Sequence, residues 1–258
     1  MTLDMADDPG ISEISFARPP IVEAVIERRF AEPFSHEVME DLRRKLESDY
    51  PAISQLNSMS WAINALGAVP EVSQNIVGYR LANLSGDAIV VITTQSLAFA
   101  RLAPYPGWRE FSKQGTGLFR VARKMMDYMQ IGRIGVRYVN RLDIPFTLEQ
   151  GTPVPIQMED YILIHPEYPA GLFPPAQSYS MQAVTLLPDI HSRLTINVAT
   201  VPSPFPGRTG IIFDIDIGRE SEIPQREDEI SNILDAIRSE KNRIFLSCLT
   251  DKAKALFS

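Results

Sequence analysis

IVGYRLANLSGDAIVVITTQSLAFARLA, residues 76–103, decides the fold class. A run from Val77 to Asn83 and a longer one from Ala88 to about Leu102, rich in Val, Ile and Thr, flank Ser85-Gly86-Asp87, which supplies turn chemistry. The stretch predicts a hairpin of two antiparallel strands. Pro104, Pro106 and Gly107 end it, and from Trp108 the apolar residues Phe111, Leu118, Val121, Ala122, Met125 and Met129 follow the period of a helix. Gly115 and Gly117 weaken the first half of that helix.

Towards the N-terminus, Arg18-Pro19-Pro20 fixes an extended entry to a strand over Ile21 to Phe30. Alternation puts Val22, Ala24, Ile26 and Phe30 on one face and Glu23, Glu27 and Arg29 on the other. Ser35 is placed to cap a helix with the apolar stripe Val38, Met39, Leu42 and Leu46, which stops near Tyr50-Pro51. The following stretch, with Trp61, reads as a loop, and residues 1–15 as a disordered or frayed N-terminus.

Towards the C-terminus, Ile131 to Ile144 is a strand in which Gly132 and Gly135 mark a bulge or the close approach of another backbone. The proline-rich connection Pro145 to Pro155 is the best candidate boundary. Further strands are expected over Met158 to Ile164, Tyr179 to Leu187, His191 to Ala199 and Gly210 to Ile217. A helix then carries Ile230, Ile233, Leu234, Ile237, Ile244 and Phe245, and Thr250-Asp251 caps a last short one. Hairpin connections in place of βαβ alternation give an α+β fold, a largely antiparallel sheet with long helices packed on one face. The expected unit is a single domain over 16–258 with pseudo-twofold, sheet-on-helix halves of about 16–145 and 156–258.

Of the 258 residues, 45% are apolar and 22% charged, close to the globular average, so there is material for a core. The formal net charge of -7 repels a phosphate backbone and argues against a nucleic-acid partner. The single cysteine, Cys248, cannot form an internal disulfide, and the first residues carry acidic side chains without Lys or Arg. With no long apolar run, these features point to a cytoplasmic protein without a membrane span.

Three stretches resemble a sporadically distributed family of uncharacterised bacterial proteins of about this length. They are Pro19-Pro20-Ile21-Val22-Glu23-Ala24-Val25-Ile26-Glu27, the central Gly135-Val136-Arg137-Tyr138-Val139-Asn140-Arg141, and an apolar C-terminal helix leading to Phe257. The resemblance spans nearly the whole chain and implies an accessory or mobile-element role. It implies no catalytic residues.

The most informative cluster is charged. Glu23 and Glu27 share one face of the first strand, and Arg137, Arg141 and Asp143 share a face of the Ile131 to Ile144 strand. As neighbours, these strands would pair the two rows across the ladder, either as surface salt bridges or as a recognition surface in which arginine holds an anion bidentately. Asn140, on the opposite face with Val136 and Leu142, reads as a structural hydrogen-bonding residue. Asp214 and Asp216 are a paired-carboxylate motif on one face of the Gly210 to Ile217 strand, too sparse to specify a metal. His36, His165 and His191 form no ligand spacing with each other or with Cys248, so neither metal nor cofactor is expected.

There is no Gly-x-Ser-x-Gly elbow, and Gly115-Thr116-Gly117 lacks the lysine of a phosphate loop. The sequence therefore points to a non-enzymatic binding or protein-interaction protein, with Glu23, Glu27, Arg137 and Arg141 as the binding residues. Its expected partner is a protein or a small acidic ligand, with homodimerisation as a further expectation. The alternative is an enzyme of unrecognised class with a Glu/Arg site on the sheet face.

Overall fold

The computed structural model describes residues 16–62, 71–126, 129–149, 152–154, 156–166 and 178–258. The expected frayed segment 1–15 lies outside them. The order is β1 (Ile21–Phe30), α1 (His36–Leu46), β2 (Ala52–Ala62), β3 (Glu71–Ala82), β4 (Ala88–Thr93), β5 (Ser96–Leu102), α2 (Trp108–Met125) and β6 (Ile131–Pro145). There follow β7 (Thr147–Glu149), β8 (Thr152–Val154), β9 (Ser180–Leu187), β10 (Ser192–Pro202), β11 (Arg208–Arg219), α3 (Glu227–Cys248) and α4 (Asp251–Lys254). Nine strands form one antiparallel sheet in the order β2-β3-β4-β5-β1-β6-β11-β10-β9, and β7 pairs with β8. The α+β class with an antiparallel sheet is as expected.

The chain divides into two compact units. Unit 1 comprises residues 1–24 and 135–258, and unit 2 comprises 25–134, so the division falls within β1 and β6, and residues 145–155 lie inside unit 1.

In unit 2, Ser35 caps α1 by accepting a hydrogen bond from the Val38 amide, and Met39, Leu42 and Leu46 form its buried stripe. Gly115 of α2 is packed closely: a Cβ there would lie 3.2 Å from Ile26 Cδ1, and Phe111, one turn earlier, stacks on Phe99 at 5.8 Å. The long strand expected from Ala88 to Leu102 is two strands. Thr93 Oγ1 accepts from the amides of Gln95 and Ser96 and bonds the Ser96 hydroxyl, which turns the chain between β4 and β5. The stretch with Trp61 is strand β2 and not a loop; a register shift at Leu56/Asn57 breaks the period-two pattern that would have announced it.

In unit 1, inward residues of three strands, among them Val136, Leu142, Val198, Phe213 and Ile215, are fully buried. The buried stripe of α3 is Ile230, Leu234, Ile237, Lys241, Ile244 and Phe245, and Phe245 stacks on Phe213 at 5.8 Å. The expected strand over Met158 to Ile164 is a 3-10 turn, Met158–Asp160, followed by a single bridge between Ile162 and Leu249. The Ile162 amide returns to the Met158 carbonyl while that of Leu163 reaches Cys248, so the segment bonds locally and to the end of α3. Thr250 caps α4 through the Ala253 amide, as the sequence suggested.

Candidate functional site

Strand register in unit 1 builds a polar row on the side of the sheet opposite Phe213. Asn197 of β10 stands opposite Asp214 of β11 and, on its other flank, opposite Gln182 of β9. Directly paired residues of antiparallel strands point to the same side, so the three side chains meet. Gln182 Nε2 donates to Asn197 Oδ1 at 2.8 Å, and Asn197 Nδ2 donates to Asp214 Oδ2 at 3.0 Å. Arg137 of β6 completes the row, with Nε and Nη2 each 2.8 Å from an Asp214 oxygen in a bidentate fork. The Asp214 side chain keeps 6% of its exposure, whereas Arg137 remains 49% exposed. The hydrogen bonds to Asp214 raise the Arg137 pKa above the usual arginine value, and the charges of Asp214, Glu23 and Asp216 add to the effect.

Arg141, on the same side of β6, is held at the strand end. Its Nε donates to Asp143, its Nη2 donates to the Pro202 carbonyl at 2.7 Å, and Ser203 Oγ also bonds Asp143. In unit 2, Glu27 accepts from Arg133 at 2.7 Å and from Arg29 at 2.9 Å. The structure thus distributes the four sequence candidates. Arg137 is clamped by Asp214 with Glu23 nearby, Arg141 by Asp143, and Glu27 is gripped by Arg29 and Arg133. The Arg137 partner came from the carboxylate pair that the sequence had weighed for a metal.

Other candidates take structural places. Asn140 is 1% exposed and donates to the Phe213 carbonyl at 3.0 Å, joining β6 to β11 inside the core. His191 occupies a left-handed turn at φ 48 after the Pro188–Ile190 turn, 3.6 Å from Glu222. Burial raises the Cys248 thiol above its usual pKa, which suppresses the reactive thiolate.

Two buried cations escaped the sequence reading. Arg28 lies on the apolar side of β1 with its guanidinium 4.1 Å from the Phe119 ring centre. Lys241, 6% exposed, sits over Tyr138 at 3.9 Å. Burial, with Arg238 adding repulsion, lowers the Lys241 pKa to about 7. The signal for both was a charge at the register of an apolar stripe: Arg28 falls between Ile26 and Phe30, and Lys241 follows Ile237 by four and precedes Ile244 by three.

Next to the polar row, edge strand β9 carries two apolar side chains on the same side, Leu186 at 71% and Val184 at 49% exposure, paired with Arg193 and Thr195. Apolar groups in water beside fixed polar groups are what a binding surface offers. No helix among the described residues is long and apolar enough to cross a membrane. No protein-family model matches the chain, and no curated protein matches it.

Proposed function

We propose that this is a non-enzymatic binding protein that recognises a protein partner with the solvent-facing side of β6, β11, β10 and β9. The observation that carries the reading is the exposure of Leu186 and Val184 beside the ordered row Arg137–Asp214–Asn197–Gln182. An apolar patch next to pre-positioned hydrogen-bonding groups suits a protein surface, where hydrophobic contact supplies affinity and the polar row fixes register. The reading takes the long helices to lie on one face of the sheet, which leaves the other for the partner. An accessory role, as the family resemblance implies, accords with a module of this kind, and a second copy of the chain is one candidate partner.

A protein partner is favoured over a small acidic ligand because the donor edges of the two arginines are in use. Arg137 gives Nε and Nη2 to Asp214, and Arg141 gives its own pair to Asp143 and Pro202. An incoming anion would have to displace an internal carboxylate whose charge already occupies the place. The enzyme alternative is disfavoured on related grounds. Glu27 pairs with Arg29 and Arg133, and Arg137 with Asp214, so members of the expected Glu/Arg set are taken up by other partners.

Affinity capture with three forms of the protein tests the proposal. Wild type and Leu163→Asp, which alters an exposed leucine at 60% exposure away from the row, are expected to retain a common partner. Val184→Asp with Leu186→Asp is expected to lose it. Retention of the same proteins by all three forms would count against the surface.

A further inference from the structure

Lys241 occupies a core position of α3 in unit 1, and the groups around it do not neutralise it. On its own helix, Arg238 repels it, while the adjacent Glu240 is paired with Arg243, on which Asp189 of the turn after β9 also acts. β6 presents Tyr138, whose ring lies 3.9 Å from the ammonium, and Asn140, whose amide is spent on the Phe213 carbonyl. The other inward residues of the unit 1 strands are apolar and buried: Phe213 and Ile215 of β11, Leu194, Ile196 and Val198 of β10, and Ala24 of β1. Of the charged groups of those strands, Glu23, Arg137, Arg141, Asp143, Arg193, Arg208, Asp214 and Asp216 alternate to the other side, and Arg219, at the end of β11, donates to the carbonyls of Ser221 and Glu222. Among the described residues no carboxylate offsets the burial of this ammonium, and the aromatic face returns only part of the lost hydration.

We propose that Lys241 makes the seating of α3 on the unit 1 sheet proton-sensitive: the helix seats with Lys241 as the neutral amine, and a proton bound there favours a displaced helix whose ammonium reaches water. The direction follows from linkage. The seated lysine titrates at about 7 and a solvated one at 10.5, so between those values seating releases a proton. The ratio of seated to displaced helix then rises by up to about tenfold per pH unit as pH climbs through that window, and levels off on either side. Acidification towards neutrality therefore loosens α3 while leaving β10 and β11 paired.

Backbone amide exchange tests this in the full chain. Protection of the α3 amides, measured relative to those of β10 and β11 and corrected for intrinsic rates, is compared at about pH 6 and about pH 8.5. The expected result is relative protection higher by on the order of tenfold at the alkaline pH in the wild type, and no such dependence in Lys241→Met, which keeps the length and removes the charge. Equal relative protection at both pH values in the wild type, or a dependence that survives in Lys241→Met, overturns the proposal. Should Lys241→Met fail to fold, the wild-type Lys241 side-chain carbon shift provides the second reading. A midpoint near 7 supports the proposal, and one near 10.5 overturns it.

Discussion

Asp214 lies on a water-facing side of the sheet with its carboxylate almost wholly covered, a state made tolerable by three hydrogen bonds, two from Arg137 and one from Asn197. Arg137→Ala removes two of them and the compensating charge. Stranding a buried carboxylate costs about 3–5 kcal/mol in a dry site, and because Arg137 is half exposed, water recovers part of this, so a loss of about 2 kcal/mol is expected in urea melts. Asp214→Asn leaves no charge stranded away from water and is expected to cost about 1 kcal/mol. Equal losses in the two variants would contradict the clamp. Asn140→Ala deprives the buried Phe213 carbonyl of its donor and opens a small void, for an expected loss of about 2 kcal/mol by the same measurement. At this scale the sequence showed which side of its strand each residue occupies: Asn140 facing inward, Arg137 and Asp214 outward. It could not show the Arg137–Asp214 pair, because alternation within a strand says nothing about which strand lies beside it. Lys241 and Arg28 were missed for a different reason: a stripe identified by its apolar members passes over the one charge in register with them.

Elements were legible wherever one periodicity ran undisturbed. The α1 and α3 stripes, the caps at Ser35 and Thr250, and strands β1, β6 and β9 to β11 follow from apolar spacing and turn residues. Elements failed to show where hydrogen bonds outside the pattern intervened: Thr93 turning the chain inside a continuous apolar run, the register shift in β2, and residues 158–163 bonding to themselves and to the end of α3. Gly78 illustrates the constraint that pairing puts on one position, since a Cβ there would lie 2.2 Å from the Ile92 carbonyl oxygen. That atom belongs to the backbone of β4 and cannot yield without breaking the β3–β4 ladder. Gly78→Ala is accordingly expected to cost about 3 kcal/mol or to prevent folding, read by circular-dichroism melts. Thr250 has two duties, accepting from the Ala253 amide and donating to the Asp160 carbonyl. Thr250→Ala is expected to lose about 1–2 kcal/mol, more than Ser35→Ala at about 1 kcal/mol, because Ser35 supplies only the cap of α1. A reversed order in denaturant melts would show that the link from Thr250 to Asp160 carries no stability.

For the molecule as a whole, charge and patch chemistry argue in one direction. The net charge is -7, and four of the arginines are engaged within the chain: Arg29 with Glu27, Arg137 with Asp214, Arg141 with Asp143, and Arg28 over Phe119. Fluorescence anisotropy with single-stranded and duplex oligonucleotides at physiological salt is expected to give no binding tighter than about 10⁻⁴ M, the weak end of non-specific association. Fold class was readable in the sequence because hairpin chemistry and helix periodicity are local. The surface was not, since the row Arg137–Asp214–Asn197–Gln182 draws on four strands whose neighbours are fixed only in the folded sheet. Binding of a protein by this surface is read by titrating a captured partner against purified wild type and the Val184→Asp, Leu186→Asp variant in a calorimeter, with folding of the variant verified by its melt. The expected result is at least about a tenfold loss of affinity in the variant, the weight of one or two buried apolar side chains at an interface. An affinity equal to that of the wild type would contradict it.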